Sequence, residues 1–318
     1  MSTPLIEARN LVKYFSTGAG IVHAVENVNL SLEKGETVGV VGESGCGKTT
    51  LGRCVLNLIP PTSGEVLFKG EDVLHVTRTK KRELLQKMQI IFQDPYSSLD
   101  PRKNVSQIIE EPLITNKLCK NKAERMERIS EIMETVGLAK RLTYAYPHEL
   151  DGGRRQRIGV ARAMVMNPEF VVCDEPVSAL DVSIQAQILN LMMDIQDRTG
   201  ISYMFITHDL SVVKHISHKI MVMYLGEVIE SATKEELFRH QVHPYTRALL
   251  GAVPIPNPER RNIERHLIKG EVSSPIDPKP GCRFAPRCPF ASEECQQPIE
   301  PVEYSPGHFV KCSKCGTF

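Results

Sequence analysis

Short apolar runs alternate with segments of helical periodicity over most of the chain. Apolar and β-branched runs, bounded by turn residues or charges, predict strands at residues 36–41, 88–92, 170–173, 202–206 and 219–224. Apolar residues at helical spacing predict helices at residues 48–58, 123–135, 154–166 and 184–198. This alternation predicts an α/β fold in which a parallel sheet is flanked by helices.

Two other parts of the chain depart from this alternation. Roughly the first sixty residues, together with residues 64–76, carry short strand patterns joined by glycine turns. They predict a small antiparallel β subdomain. From Pro254 to Pro306, eleven of the chain's 21 prolines fall within 53 residues. This change in composition predicts a domain boundary near residue 250, with one domain at 1–250 and an irregular extension at 251–318.

Composition and charge limit the classes of protein. With 318 residues, 41% hydrophobic and 24% charged, the chain has the composition of a soluble globular protein. The 39 Lys and Arg nearly balance the 38 Asp and Glu, so no overall positive field attracts nucleic acid. No apolar run approaches the roughly 18 residues of a membrane span, and the N-terminus lacks the order of a secretory signal. We therefore expect a cytosolic chain.

A glycine-rich loop follows the strand predicted at 36–41. Residues 42–50, GESGCGKTT, fit the pattern G-x-x-x-x-G-K-[ST], and a predicted helix follows them. In such a loop, backbone N–H groups and the helix N-terminus cradle phosphates, Lys48 reaches the β- and γ-phosphates, and the Thr49 hydroxyl ligates Mg²⁺. The predicted nucleotide-binding residues of the loop are Gly42, Ser44, Gly45, Cys46, Gly47, Lys48, Thr49 and Thr50.

Two carboxylates, Asp174 and Glu175, follow the apolar strand predicted at 170–173. Open α/β sheets place their ligands at the carboxyl ends of the strands. We therefore expect Asp174 to hold the Mg²⁺ shell and Glu175 to polarise the water that attacks the γ-phosphate.

The segment just upstream of these carboxylates carries a family resemblance. Residues 150–157, LDGGRRQR, resemble the signature loop of the ABC-type ATPases, and further matches occur in the segments IFQDP, SALD and ITHD. The resemblance covers residues 1–250. It implies a P-loop, RecA-like ATPase core with a helical subdomain at about residues 94–165, which in the family docks on a transmembrane subunit.

The resemblance also implies roles for single residues. Gln93 contacts the metal and the nucleotide and lets the membrane partner sense nucleotide, Asp181 communicates across a dimer, and His208 holds the γ-phosphate. Tyr14 matches the aromatic residue that stacks on adenine, with Phe15 as the alternative. In the family, two subunits sandwich ATP between the P-loop of one and the signature loop of the other.

The signature loop departs from the family pattern. The family has Leu-Ser-Gly-Gly-Gln, whereas this chain has Asp151 for the serine and Arg154 for the glutamine, with Gly152 and Gly153 kept. An ionised carboxylate would be repelled by a triphosphate, by about 4 kcal/mol for unit charges about 4 Å apart at an effective dielectric of about 20. We therefore hypothesise a heterodimer in which the site that receives Asp151 is the weaker one. The alternative is a tolerated variation with little effect.

Three further segments resemble the ATPases of dipeptide, oligopeptide and nickel importers. They are residues 96–102 (YSSLDPR), 243–250 (HPYTRALL) and 281–289 (GCRFAPRCP). The last two match the C-terminal extension of that subfamily. The resemblance implies that residues 251–318 form a Cys- and Pro-rich extension with a structural or regulatory role outside the ATP site.

Cysteines crowd into this extension. Cys282, Cys288, Cys295 and Cys312 are separated by five, six and sixteen residues, and only Cys312 and Cys315 have the close spacing of a structural zinc pair. The wide spacing favours a [4Fe–4S] cluster on the first four, with Zn²⁺ as the alternative and unligated thiols or disulfides as a third. His308 could replace one of these cysteines, although the sequence favours a loop or core role for it.

Taken together, these features predict an ATPase subunit of an importer for dipeptides or oligopeptides, with ATP and Mg²⁺ as ligands. It would lie peripherally at the cytoplasmic face of the membrane, with a second ATPase subunit, permease subunits and, indirectly, an external peptide-binding protein as partners. The substrate is chosen by other subunits, so nickel stays open. The alternatives are a soluble, non-transport ABC ATPase and a regulatory subunit that senses metal or redox state. A single P-loop without sustained heptads disfavours the first, and intact Lys48, Asp174, Glu175 and His208 disfavour the second.

Overall fold

The computed structural model describes residues 3–252, 270 and 273–316. The strands are β1 (Ile6–Thr17), β2 (Gly20–Leu32), β3 (Thr37–Val41), β4 (Ser63–Phe68), β5 (Glu71–Asp72), β6 (Met88–Ile91), β7 (Phe170–Asp174), β8 (Ser202–Thr207), β9 (Lys219–Tyr224), β10 (Glu227–Thr233), β11 (Val302–Ser305) and β12 (His308–Val310). The α-helices are α1 (Lys48–Val55), α2 (Arg78–Lys87), α3 (Pro95–Ser98), α4 (Val105–Asn116), α5 (Lys122–Thr135), α6 (Gly152–Met164), α7 (Val182–Thr199), α8 (Leu210–Ile216), α9 (Lys234–Arg239) and α10 (Pro244–Gly251).

The chain divides into two compact units. Unit 1 comprises the residues up to Leu5, Leu32–Glu36 and Phe68–Phe205, and unit 2 comprises Ile6–Ser31, Thr37–Leu67 and the residues from Ile206 onwards.

Unit 1 combines a parallel strand group with helices. Its strands lie in the order β8, β7, β6, and β6 runs parallel to β7 with Ile91 opposite Cys173. Every residue of β7 is buried, as expected for a parallel strand that is covered on both faces. Helices α4, α5 and α6 pack against one another. A capping box between Asn104 and Gln107 starts α4 by satisfying backbone N–H groups of its first turn.

Unit 2 contains a group of strands with both parallel and antiparallel pairings. β9 runs parallel to β3 and antiparallel to β10, β12 pairs with β10, and β11 pairs with β12. A buried core of Val41, Val222, Ile229 and Leu237 fills the space beside these strands, and Phe284 from the C-terminal extension belongs to the same core. Phe284 therefore brings the described part of the extension into the folded interior of unit 2.

A second group of strands in unit 2 comes from the first part of the chain. β1 and β2 are neighbours joined by residues 18–19, and β4 lies beside β1. The small β layer predicted for this region is therefore present.

The strands predicted from short apolar runs are confirmed, with ends displaced by at most one residue. The four predicted helices are also confirmed. For two of them, α1 and α7, the backbone conformation explains where the helix ends. α1 ends at Val55 rather than at residue 58, because Asn57 adopts a left-handed backbone with φ of 51°. α7 ends where Gly200 takes the left-handed conformation at φ of 68°. Several elements have no counterpart in the prediction, among them α2, α4, α8, β11 and β12.

Within the described ranges, no helix combines the length and hydropathy needed to cross a bilayer.

Candidate nucleotide-binding site

The predicted site residues divide between the two units. Unit 2 carries Tyr14, the loop at 42–50 and His208, whereas unit 1 carries Gln93, the signature loop, Asp174, Glu175 and Asp181. Each group is built by elements of its own unit.

The loop at 42–50 joins the buried strand β3 to α1. Its glycines adopt positive φ at Gly42, Gly45 and Gly47, the last being the residue before α1. A Cβ added to Gly47 would lie 2.0 Å from the carbonyl oxygen of Ala24, and one added to Gly42 would lie 2.2 Å from that of Met223. The loop therefore needs glycine at these two positions for both conformation and space.

Lys48, the first residue of α1, points back into this loop. Its Nζ donates to the carbonyl oxygens of Gly42 and Glu43, both at 2.8 Å, and lies 3.8 Å from the Cys46 Sγ. The side chain is buried. Burial raises the pKa of the Cys46 thiol, although the nearby Lys48 charge partly opposes this effect, so Cys46 packs as a neutral thiol. The arrangement places an ammonium group inside the phosphate-binding loop.

Tyr14 lies in β1, next to a charged residue of β2. Its hydroxyl donates to Glu26 Oε1 at 2.5 Å, and its ring packs on His23 with centroids 4.0 Å apart. Burial, followed by the hydrogen bond to Glu26, raises the pKa of Tyr14 to about 12. Phe15, the alternative stacking residue, has Lys13 over its ring at 4.9 Å. The structure thus supports the Tyr14 ring through two contacts from β2.

The two predicted carboxylates lie at the end of β7. Asp174 is buried as the last strand residue, and Glu175 adopts φ of 46°, a left-handed conformation that non-glycine residues rarely take. The Gln93 Nε2 donates to Glu175 Oε2 at 3.0 Å. The structure therefore brings together Gln93 and Glu175, which the sequence had placed after two separate strands.

The signature loop forms the N-terminus of α6. Asp151 is the N-cap residue, and its Oδ1 accepts from the Arg154 N–H at 2.8 Å while its Oδ2 pairs with Arg154 Nη1 at 3.1 Å. A Cβ added to Gly153 would lie 2.8 Å from Ile184 Cγ2, and one added to Gly152 would lie 3.2 Å from Leu180 Cδ2. The two residues that depart from the family pattern are thus partners of each other.

The remaining predicted residues occupy turns that follow or precede regular elements. His208 is exposed directly after β8, and Asp181 is exposed at the N-cap position of α7 without a side-chain capping bond. Ser178, in the same segment as Asp181, donates to the Glu175 carbonyl oxygen at 3.1 Å. Residues 178–181 therefore continue from the Glu175 turn into α7.

The four predicted cysteine ligands line one small pocket in unit 2. Cys282, Cys288, Cys295 and Cys312 surround a space of about 10 Å³, room for about one water. Burial is the main cause that raises the pKa of the Cys282 thiol to about 11, and it also raises those of Cys288 and Cys312. Over the described ranges, no three His, Cys, Asp or Glu side chains are arranged so that they could hold a metal ion. The four thiols line the same pocket, but they are not arranged to coordinate one metal ion.

His308 is a core histidine, which is one of the roles considered for it from the sequence. It is fully buried, and its Nε2 lies 2.9 Å from Glu230 Oε1. The same Glu230 carboxylate accepts from the backbone N–H groups of Val242 at 2.8 Å and His243 at 2.9 Å. Glu230 therefore ties the extension to the start of α10.

Sequence reasoning missed the charged residues beside Tyr14 and beside the loop at 42–50, called the phosphate loop below. Arg287 forms an ion pair with Glu43, and Arg283 forms one with Glu26. The only local signal was the position of both arginines within the segment GCRFAPRCP, between two cysteines. Their partners are more than 240 positions away, so no periodicity links them.

Comparison with known proteins fits this geometry. Residues 25–178 match the family described as ABC transporter, and residues 229–295 match the oligopeptide/dipeptide transporter C-terminal region. The oligopeptide transport ATP-binding protein AppF of Bacillus subtilis (strain 168) is 48% identical over 319 residues, covering 97% of this chain and 96% of that protein. The dipeptide transport ATP-binding protein DppF of Haemophilus influenzae is 48% identical over 318 residues, covering 98% and 97%.

Solved structures give the same result for the fold. CbiO1 from Clostridium perfringens, part of an ABC transporter complex, superposes with a TM-score of 0.67 at 26% identity, covering 76% of this chain and 92% of that one. The ATP-binding cassette MJ0796, in a dimeric state bound to ADP and Pi, gives a TM-score of 0.65 at 28% identity, covering 72% and 98%. The chain belongs to the ATP-binding proteins of ABC transporters, in the branch that carries the oligopeptide/dipeptide C-terminal region.

Proposed function

We propose that this chain binds and hydrolyses ATP to energise the import of dipeptides or oligopeptides through membrane-spanning permease subunits. The observation that carries the proposal is similarity along nearly the whole chain, 97%, to a protein named for oligopeptide transport. The match of residues 229–295 to the oligopeptide/dipeptide C-terminal region supports import over the soluble, non-transport ABC ATPase.

In this function, the loop at 42–50 binds the phosphates. Backbone N–H groups at the start of α1 offer hydrogen bonds to anionic oxygens, and the Lys48 ammonium supplies the positive charge. The Tyr14 ring, supported by His23 and Glu26, provides the flat apolar surface on which adenine stacks.

The donor set suits Mg²⁺, which takes oxygen ligands. Thr49, Gln93 and Asp174 supply a hydroxyl, an amide oxygen and a buried carboxylate. When bound, Mg²⁺ neutralises charge on the phosphates. Glu175 accepts a proton from the attacking water, and the Gln93 amide holds the Glu175 carboxylate in place. His208 contacts the γ-phosphate, and Asp181 communicates with a second subunit.

The chain works as half of an ATPase dimer, and we expect a heterodimer. Asp151 replaces the serine that would donate to the γ-phosphate bound by the other subunit, so the site completed by this chain's signature loop is the weaker one. The chain's own P-loop faces the partner's signature loop.

Residues 94–165 form the helical subdomain that docks on the permease, and the boundary of the extension lies near residue 250. The assembly lies at the cytoplasmic face of the membrane, and an external peptide-binding protein delivers the substrate.

The experiment that tests this function is peptide uptake into vesicles that contain the reconstituted transporter. Radiolabelled dipeptides and longer peptides should accumulate only with ATP on the side of this subunit. Lys48→Ala is the control, since it removes the phosphate-binding charge. Equal ATP hydrolysis with and without permeases, together with no uptake, would favour the soluble ATPase. Uptake of nickel instead of peptides would change the substrate class.

We also propose that four cysteines of the extension bind a metal centre. They are Cys282, Cys288, Cys295 and Cys312. Their common pocket supports the proposal, and their wide spacing favours a [4Fe–4S] cluster over Zn²⁺. With only about 10 Å³ between them, the lining side chains must separate to admit a cluster. The pKa values of three of the four thiols, Cys282, Cys288 and Cys312, are raised, so binding must release their protons and metal affinity should rise with pH.

Iron, zinc and acid-labile sulfide per chain, measured on anaerobically purified protein, test the second proposal. About four iron and four sulfide support the cluster, and one zinc supports the alternative. Protein that carries neither metal and retains its free thiols refutes both.

A further inference from the structure

The extension buries two arginines beside the nucleotide site of its own chain. Arg283 and Arg287 lie between Cys282 and Cys288, and their side chains are only 6% and 7% exposed. Phe284, between them, packs against the rings of Tyr224 and Tyr245 with centroids 5.4 and 5.3 Å apart. Buried guanidinium groups are costly unless they are paired, so the partners of these arginines indicate what the segment is built to hold.

Arg287 is paired with the phosphate loop. Its Nη1 and Nη2 donate to the two carboxylate oxygens of Glu43 at 2.8 and 3.1 Å, a bidentate geometry, and Nη1 also donates to the Tyr224 hydroxyl at 3.3 Å. Glu43 is the second residue of the loop. Its N–H donates to the Tyr245 hydroxyl at 2.9 Å, and its carbonyl accepts from Lys48. The side chain, N–H and carbonyl of Glu43 are thus all held.

Arg283 is paired with Glu26, the residue that accepts the hydrogen bond from the Tyr14 hydroxyl. Its Nη2 donates to Glu26 Oε2 at 2.8 Å, and a second guanidinium nitrogen donates to the Leu225 carbonyl oxygen. The Glu26 carboxylate also accepts from the Tyr14 hydroxyl and from His23 Nδ1, the latter at 2.6 Å. Burial would raise the pKa of Glu26, but the hydrogen bonds from Tyr14, His23 and Arg283 bring it below its usual value. Glu26 therefore stays ionised and connects Arg283 to the stacking ring.

We propose that Arg287 and Arg283 are positioning residues of the nucleotide site in their own chain, Arg287 for the phosphate loop through Glu43 and Arg283 for Tyr14 through Glu26. The inference rests on the proposed function, in which that loop binds phosphates and Tyr14 stacks on adenine. Binding is tighter when a loop and a ring are already held in their bound positions, because less freedom is lost on association. The extension thereby acts on nucleotide affinity without contacting the nucleotide.

Two ligands test the roles of Arg287 and Arg283 separately. MgATP uses both the loop and the stacking ring, whereas magnesium tripolyphosphate uses only the loop. Arg287→Ala should weaken the binding of both by about tenfold or more in calorimetric titrations of the full chain. Arg283→Ala should weaken MgATP and leave tripolyphosphate unchanged. Arg287→Lys should recover only part of the affinity, since lysine supplies the charge but not the bidentate geometry.

Matched controls separate positioning from general damage. Arg102→Ala removes an arginine that is 87% exposed and paired with Asp100, so both affinities should stay at the wild-type level. If an alanine variant does not fold, Glu43→Gln and Glu26→Gln break the same ion pairs with side chains of nearly the same size. Glu43→Gln should then affect both ligands, and Glu26→Gln only MgATP.

The proposal is overturned for Arg287 if Arg287→Ala, or Glu43→Gln, binds both ligands like the wild type. It is overturned for Arg283 if Arg283→Ala weakens both ligands equally, because tripolyphosphate has no base that could stack on Tyr14, or if it weakens neither. Failure of the proposed function gives a different result, in which the wild-type chain and Lys48→Ala bind MgATP equally poorly.

Discussion

The side-chain amide of Gln93 donates a 3.0 Å hydrogen bond to the carboxylate of Glu175, 82 positions further along the chain. The parallel pairing of β6 with β7 makes this contact possible, because Ile91 lies opposite Cys173 and both strands end at the same edge. The left-handed backbone at Glu175, with φ of 46°, turns the chain directly after the strand. Gln93, which the family pattern assigns to the metal, thus orients Glu175, the predicted catalytic base.

Glu175→Gln should keep ATP binding and lose hydrolysis. Glutamine has nearly the same shape and still accepts from Gln93, but it takes up no proton from water. We expect turnover in the reconstituted transporter to fall by about 10²- to 10⁴-fold, with the Kd for ATP little changed. Steady-state phosphate release, with the second ATPase subunit present, measures the effect. Wild-type turnover in this variant would make the chain the regulatory subunit of the alternative hypothesis.

Asp151→Ser should raise ATP turnover of the proposed heterodimer. Serine removes the negative charge that would face the partner's triphosphate, yet it caps α6 as well as aspartate does. Asp151→Ala is the matched variant. It also removes the charge but loses the capping bond to the Arg154 N–H, so it should destabilise the fold by about 1 kcal/mol. Turnover that does not change in Asp151→Ser would mean that the pairing with Arg154 already makes the substitution harmless.

Gly47→Ala should destabilise the phosphate loop far more than Gly45→Ala. Both glycines have positive φ, so both substitutions introduce backbone strain of about 1–2 kcal/mol. Only at Gly47 does the new Cβ meet an obstacle, the Ala24 carbonyl oxygen at 2.0 Å, whereas no atom lies within 4 Å at Gly45. Thermal unfolding with and without MgATP measures the difference. Equal losses for the two variants would contradict the close approach of β2 to the loop.

His243→Asn should make the fold less sensitive to acid. Burial holds the pKa of His243 down to about 4, and its Nδ1 accepts the capping bond from the Tyr245 N–H at 3.1 Å. The unfolded chain therefore binds a proton below about pH 6.5 that the folded chain refuses, so stability falls as pH drops from 6.5 towards 4, by at most about 3 kcal/mol. Asparagine keeps a capping oxygen and has no such titration.

Urea unfolding of both proteins at a series of pH values checks this. Hydrogen bonding to Glu230 raises the pKa of His308, so its stabilisation is full below about pH 6.5 and is lost as pH rises through the folded-state pKa. That contribution is common to both proteins and cancels in their difference. A difference that stays constant between pH 6.5 and 4 would show that His243 does not titrate as its burial requires.

Local patterns account for the predicted strands and for the start of α1. β3, β7 and β8 are buried along their whole length, and most of their residues are apolar or β-branched, which leaves a visible run in the sequence. The phosphate loop was visible because Gly42, Gly47 and Lys48 meet steric and charge requirements at fixed spacing.

Partners far apart in sequence leave no such pattern. Glu43 and Arg287 are each common surface residue types, and only the folded chain shows that they form a partly buried pair. The hairpin of β11 and β12 was missed for a related reason. β11 is largely exposed and β12 has only three residues, so neither shows a buried apolar run long enough to predict a strand.

The position of that hairpin has a consequence for the behaviour of the chain in solution. β12 pairs with β10 through Glu230 with Val310 and Ser231 with Phe309, and it covers backbone groups that would otherwise form an open sheet edge. Open edges recruit strands from other molecules and lead to aggregation. β11, now the outermost strand, is only four residues long, carries Glu303 and has an irregular register at Glu303 and Ser305. Among the described residues, this hairpin thus replaces a long open edge with one that is short, irregular and charged, which is less suited to pairing with other molecules.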